Sequence, residues 1–326
     1  MPLETYLSGP MSVLIDVNSY CQLRCRYCSS MPFDGSLLEA ERVISLLKEL
    51  GEFPIWSLTF SGGEPFLHPN MVDFIEASWQ SGLVPSINTN GLKLLNGNLL
   101  KRLVKLHIKG IKFTLNISLD SNEPIDNDSA RGKGNDVKEA IKIALSNGLQ
   151  VDINSTIHSG NINSALDLID EYPGVKQFRF TPVIPTHSSL TSGMDLAVEE
   201  KRMKEFWQKA LELQDELGED KIRLPFQRDK KKSLMDCKQN HCFCGLTTCF
   251  IDSCFDVYPC NWSKTKDNKM GSVKNTPIKS VWNSTRAIEI REKGQKARLC
   301  EALPSLNPDS GDLPARYKGV NDQISG

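Results

Sequence analysis

Short apolar runs alternate with amphipathic segments along the first part of the chain. The runs are Val13–Val17, Trp56–Phe60, Val84–Thr89, Lys112–Leu119, Val151–Ile157 and Lys176–Pro182, rich in the β-branched and aromatic residues that fit strands. They recur at intervals of roughly 30 residues, the repeat of a strand–helix–strand unit. The segments between them carry apolar residues at helical spacing: Leu37–Leu50, Asn70–Gly82, Gly97–Ile108, Asp136–Asn147, and a shorter one from Asn163 that stops before Pro173. Ser36-Leu37-Leu38-Glu39 reads as a capping box, and Gly51, Gly82, Gly110 and Gly148 stand where helices end. Strand and helix repeated six times predict parallel strands with right-handed crossovers, an α/β fold built as a partial (β/α)6 barrel.

The pattern changes after that. Asp195–Leu217 reads as one long helix closing a domain of residues 13–220, with Met203, Phe206, Trp207, Ala210, Leu211 and Leu213 as its packing face. Residues 1–12 are a lead-in. Residues 221–236 read as a linker, and its run Arg228-Asp229-Lys230-Lys231-Lys232 as a solvated stretch. Residues 237–300 form a second, small cysteine-rich α+β region. There Phe250-Ile251 and Val257-Tyr258 flank Asp252-Ser253-Cys254 as a hairpin, Gly271–Val273 is a short strand, and Thr276-Pro277 opens a helix running through Trp282 to Gly294. Residues 301–326 are polar, with three prolines and three glycines, and read as a flexible tail.

Composition narrows the function. A formal net charge of −1 leaves no electrostatic footprint for nucleic acid or an anionic membrane. No run approaches the ~18 apolar residues of a membrane-spanning helix. Met1-Pro2-Leu3-Glu4 shows neither a basic nor an apolar signal region, so the expected location is the cytoplasm. The chain has ten cysteines. In that compartment they point to metal or redox chemistry rather than disulfides.

The cysteines fall into two groups. Cys21, Cys25 and Cys28 are spaced C-x3-C-x2-C on a loop directly after the first strand. Three thiolates hold a cubane cluster with one iron left open to chelate a small ligand, whereas structural zinc wants four closed ligands. A loop in that place sits at the carboxyl ends of the strands, where such folds keep their chemistry. With Tyr27 before the last cysteine, and Ser61-Gly62-Gly63-Glu64-Pro65 after the second strand, the chain resembles the radical S-adenosylmethionine (SAM) superfamily. The resemblance implies a [4Fe–4S] cluster on Cys21, Cys25 and Cys28 whose open iron takes the amino and carboxylate groups of SAM. It implies one-electron cleavage of SAM to a 5′-deoxyadenosyl radical, hydrogen abstraction from a substrate, and a reductase such as flavodoxin or ferredoxin. It places Tyr27 near the adenine, and Gly62, Gly63, Glu64 and Pro65 around the SAM amino group, with Glu64 accepting from the ammonium. Asn90, Ser118, Asp120, Asn154 and Arg179 stand at strand ends facing the same mouth, for SAM or substrate; loop capping is the alternative for each.

The second group resembles the SPASM, or shortened twitch, cluster domain through Cys244-Gly245, Val257-Tyr258-Pro259-Cys260-Asn261, Gly271-Ser272-Val273 and Val281-Trp282-Asn283. The chain lacks the C-x2-C pair of the full domain, and only Cys300 follows the last helix. One auxiliary [4Fe–4S] cluster is therefore expected, on Cys237, Cys244, Cys260 and Cys300, with Cys242 as the alternative to Cys237. A zinc ribbon or inert thiols are the competing readings. Cys249 is surplus to that set and is expected to donate hydrogen to a substrate radical. The favoured reaction is then epimerisation of a natural-product substrate, an aminoglycoside sugar or a ribosomal peptide. The alternatives are dehydrogenation or cross-linking of a peptide, and more distantly a non-catalytic electron carrier, which would yield no 5′-deoxyadenosine.

Overall fold

The computed structural model describes residues 7–31, 33–183, 196–225 and 245–296. Ten strands form one sheet in the order β10-β9-β8-β1-β2-β3-β4-β5-β6-β7. The central six are parallel: β1 (Ser12–Asp16), β2 (Ser57–Ser61), β3 (Pro85–Thr89), β4 (Thr114–Ser118), β5 (Val151–Ile157) and β6 (Gln177–Pro182). Each coincides with an apolar run of the sequence. Between them lie α1 (Ala40–Leu50), α2 (Met71–Gln80), α3 (Gly97–Ile108), the short α4 (Pro124–Asp128), α5 (Gly134–Ser146) and α6 (Leu168–Glu171). The long α7 (Glu200–Leu217) follows β6 and buries Phe206 and Ala210.

Alternation along each strand splits the sheet into two faces. Ile15, Phe60, Ile87, Leu115, Ile153 and Phe178 are fully buried on the outer face, in one core with Val43, Leu46 and Leu47 of α1. The other face is polar and half-buried, with Asp16, Ser61, Asn88, Ser118, Asn154 and Arg179. It is the inner face of a partial barrel, open between β7 and β10, the two edges of the sheet.

Several local expectations are corrected. The box at Ser36–Glu39 does not cap α1: the residue before the helix, Glu39, makes no side-chain cap bond. The segment instead pairs with the chain leaving β1, through Ser19 N–H to Ser36 O (2.8 Å) and Leu38 N–H to Val17 O (3.0 Å). That pairing braces the cysteine loop. The linker expected at 221–236 begins with β7 (Ile222–Arg223), which extends the sheet beside β6; the basic run lies outside the described residues. The hairpin β8 (Thr248–Ile251) and β9 (Asp256–Tyr258) forms as expected and joins the main sheet. β8 lies parallel to β1, Val13 opposite Cys249 and Ile15 opposite Ile251, and β10 (Gly271–Ser272) completes the edge. β8 thereby pairs the edge of β1 that β2 leaves open. The C-terminal helix is two, α8 (Ile278–Trp282) and α9 (Thr285–Lys296), and Pro277 precedes the first rather than standing inside it. Trp282 is fully buried and its indole N–H donates to Leu7 O at 2.9 Å, tying the second region to the chain before β1.

Candidate iron–sulfur and SAM site

Strand β1 ends at Asp16 and the chain enters the loop that carries Cys21, Cys25 and Cys28. All three thiols are half-buried, and none is in a disulfide. Cys28 N–H donates to Cys25 O at 3.1 Å, which turns the loop back on itself. The three thiolates lie close enough to repel one another, and burial pushes Cys25 up to about 11 against the pull of Arg131. Among the described residues no three Cys, His, Asp or Glu converge tightly enough for a single ion. A cubane spreads its thiolates wider than one ion does, and a loop of three half-buried cysteines suits it. The residues present fit a site-differentiated [4Fe–4S] cluster.

The Gly62-Gly63-Glu64-Pro65 turn lies against that loop. A Cβ on Gly62 would stand 2.3 Å from Asn18 O, and one on Gly63 would stand 1.8 Å from Tyr20 O. Gly62 also has φ +130°, which disfavours any side chain. The glycines are required by the close crossing of the chain at Asn18 and Tyr20, which leads into the cysteine loop. Glu64 differs from expectation more sharply. It is fully buried, and its carboxylate accepts from Thr89 Oγ1–H (2.7 Å), Phe66 N–H (3.1 Å) and Asn90 N–H (2.8 Å). Burial raises its pKa against those three donors. It clamps the end of β2 to the end of β3. Pro65 starts a buried 3-10 turn behind it.

Asn90 does reach the site. Its Nδ2–H lies 3.7 Å from Cys21 Sγ, and its Oδ1 accepts from Gln22 Nε2 at 3.1 Å, so it belongs to the shell of the cysteine loop. Asp120 is fully buried beyond the end of β4. Its carboxylate takes Arg131 Nε–H (3.2 Å) and Nη2–H (3.1 Å), Thr156 N–H (3.0 Å) and the Tyr27 hydroxyl. With four protein donors it is a brace for the loop. Tyr27 packs on Ala130, Val183 and Leu196, under the Arg131 guanidinium. Ser118, Asn154 and Arg179 stand in one row across β4, β5 and β6 on the inner face. Arg179 is turned to Asp152 (3.5 Å) and Gln177 (2.9 Å), its own sheet neighbours.

Cys249 is placed against its expected role. It shares the outer face with Val13, is 2 % exposed, and lies in the apolar core, where burial pushes its thiol up to about 12. The inner face, where substrate would be attacked, is on the other side of β8. Of the auxiliary ligands, Cys260 is half-buried just past β9; Cys237, Cys244 and Cys300, and the alternative Cys242, lie outside the described residues.

Two residues of the site escaped the sequence. Asp16 is the acid at the inner carboxyl end of β1, beside Ser61. Burial pushes it up to about 7, with Lys264 and Ser61 opposing and Asp252 assisting. An acid inside an apolar run was its only signal. Arg131 sits eleven residues from the acid it pairs with, in a loop without periodicity, and gave none.

Comparison with known proteins follows the geometry. The radical SAM superfamily model matches residues 15–171, and the SPASM iron–sulfur cluster-binding domain model matches residues 242–302. The PqqA peptide cyclase of Xanthomonas campestris pv. campestris is 23 % identical over 327 residues, covering 93 % of this chain and 81 % of that protein. The PqqA peptide cyclase of Granulibacter bethesdensis is 26 % identical over 163 residues, 48 % of this chain and 42 % of that protein. The crystal structure of Streptococcus suis SuiB bound to S-adenosylmethionine has the same fold, with a TM-score of 0.71 at 17 % identity, covering 91 % of this chain and 72 % of that one.

Proposed function

The chain carries a radical SAM domain with a SPASM-type iron–sulfur domain behind it, and on that premise we propose that it oxidises a peptide substrate at a C–H bond, closing a new bond within it. The observation that carries this reading is the arrangement of the two cysteine groups about β1 and β8. Cys21, Cys25 and Cys28 follow the carboxyl end of β1. β9 runs antiparallel to β8, so Cys260 emerges at the amino end of the same strand pair. An electron can enter at one end of the inner face and leave at the other, as a net oxidation requires. The peptide class is supported by the PqqA peptide cyclases and by SuiB, which is also known bound to its precursor peptide SuiA. Epimerisation has lost its motive, since Cys249 is in the core.

When bound, the cluster and SAM supply a 5′-deoxyadenosyl radical able to abstract hydrogen from an unactivated carbon. The chain's own residues hold the geometry for that event. Glu64 fixes the β2–β3 end, Gly62 and Gly63 admit the cysteine loop, and Asp120 anchors the loop through Tyr27 and Arg131. Oxidation of a substrate radical releases a proton. Asp16, a carboxyl near neutrality at the inner end of β1, is placed to accept it at its Oδ atoms. A flavodoxin or ferredoxin fits as the electron source.

The test is anaerobic turnover with SAM and dithionite, with a panel of short synthetic peptides as substrates. The expected result is 5′-deoxyadenosine and a peptide lighter by two hydrogens, with the new bond located by fragmentation. An unchanged peptide mass with one deuterium gained from heavy water would mean inversion and overturn the reading. No 5′-deoxyadenosine at all would mean an electron carrier.

A further inference from the structure

We propose that Arg131 is a positioning residue for the SAM-binding cluster: fixed on Asp120, it holds its guanidinium charge against Cys25 and sets the potential at which the cluster accepts an electron. Two of its nitrogens are spent on Asp120, Nε at 3.2 Å and Nη2 at 3.1 Å. The third, Nη1, lies 4.0 Å from Cys25 Sγ. The backbone repeats the contact: Arg26 N–H donates to Ala130 O at 2.9 Å, and the Cys25 thiol lies 4.0 Å from Arg131 O.

The pair is enclosed. The Arg131 side chain is 10 % exposed and that of Asp120 is 0 %. Water screens it weakly, so its orientation is felt. Asp120 is held in turn by Thr156 N–H and the Tyr27 hydroxyl, while His158, 3.9 Å away, is kept neutral by burial. The positive end of the pair therefore faces the thiolate and the negative end faces away. Nearby charge and N–H···S bonds are levers on the potential of an iron–sulfur cluster, and an arginine fork held from behind cannot swing away. A cation favours the state with the extra electron.

The proposal rests on Cys21, Cys25 and Cys28 as cluster ligands, and the experiment separates the two. Reconstituted wild type and Cys25→Ser are compared by electron paramagnetic resonance. Persistence of the SAM-responsive signal in Cys25→Ser would sink the ligand reading and, with it, the proposal that stands on it. The midpoint potential of that signal is then measured in Arg131→Gln, Arg131→Lys and Asp120→Asn. Arg131→Gln is expected to keep its iron and shift negative, and Arg131→Lys to recover part of the shift. Asp120→Asn, which strips the counter-charge from a retained guanidinium, is expected to shift the other way. A scaffold residue would not give shifts of opposite sign. Three results overturn the proposal: an unchanged midpoint in Arg131→Gln, a weakened SAM affinity with no change in midpoint, or loss of iron and folding in both Arg131 variants.

Discussion

Replacing Glu64 by Gln separates a frame from a ligand contact. Oε1 accepts from Thr89 Oγ1–H and Phe66 N–H, and Oε2 from Asn90 N–H. An amide can keep one oxygen end. If it keeps Oε1, its NH2 faces the Asn90 N–H, a donor against a donor in a fully buried place, at a cost of about 1–3 kcal/mol. The two remaining bonds fall from charge-assisted to neutral, about 1 kcal/mol each. Relief of a buried charge offsets part of this, because burial has raised the pKa of Glu64. The net expectation is a loss of about 2–4 kcal/mol. At roughly 2 °C per kcal/mol for a chain of this size, that is a fall in Tm of about 4–8 °C. The assay is thermal unfolding of the cluster-free protein without SAM, set beside SAM affinity of the reconstituted protein. A variant as stable as wild type that binds SAM weakly would refute the clamp and restore the carboxylate as a SAM ligand.

Asp16→Asn tests the burial of the inner acid. Between the ordinary carboxylate value and about 7 the folded chain holds a proton that the unfolded chain has released, so wild type loses stability as pH rises through that window. The asparagine variant escapes that loss, and its advantage over wild type should grow from pH 4 to 8 by at most roughly 4 kcal/mol; a constant difference across urea titrations at those pH values would show a solvated Asp16. Cys249→Ala should retain full turnover and lose only about 1–2 kcal/mol of packing; an abolished product with folding intact would return the thiol to the mechanism. Reconstituted protein should hold about eight irons, four per cubane, and the Cys21, Cys25, Cys28 triple alanine variant about four. Full iron in that variant would contradict the division of ligands.

The strands, helices and cysteine loop were legible because each is written in contiguous residues. Alternation and helical periodicity mark β1 through β6, and C-x3-C-x2-C needs no partner to be recognised. The match to the radical SAM and SPASM domain models rests on the same local text. What each side chain does was not contiguous. Glu64 and Asp120 are acids at strand ends, and sequence alone reads them as open to a ligand. Tertiary packing brought donors from 25 and from 11 residues away onto them, and a buried carboxylate must take such donors because it has lost water. Cys249 shows the same division. Its place in a strand was readable, but its face depended on β8 pairing with β1 in one register, and a shift of one residue would have turned the thiol inward. Sequence thus determined the elements and the chemistry they carry. Only the folded sheet decided which groups face the reaction and which hold the frame, since that is settled by desolvation and register between segments far apart in the chain.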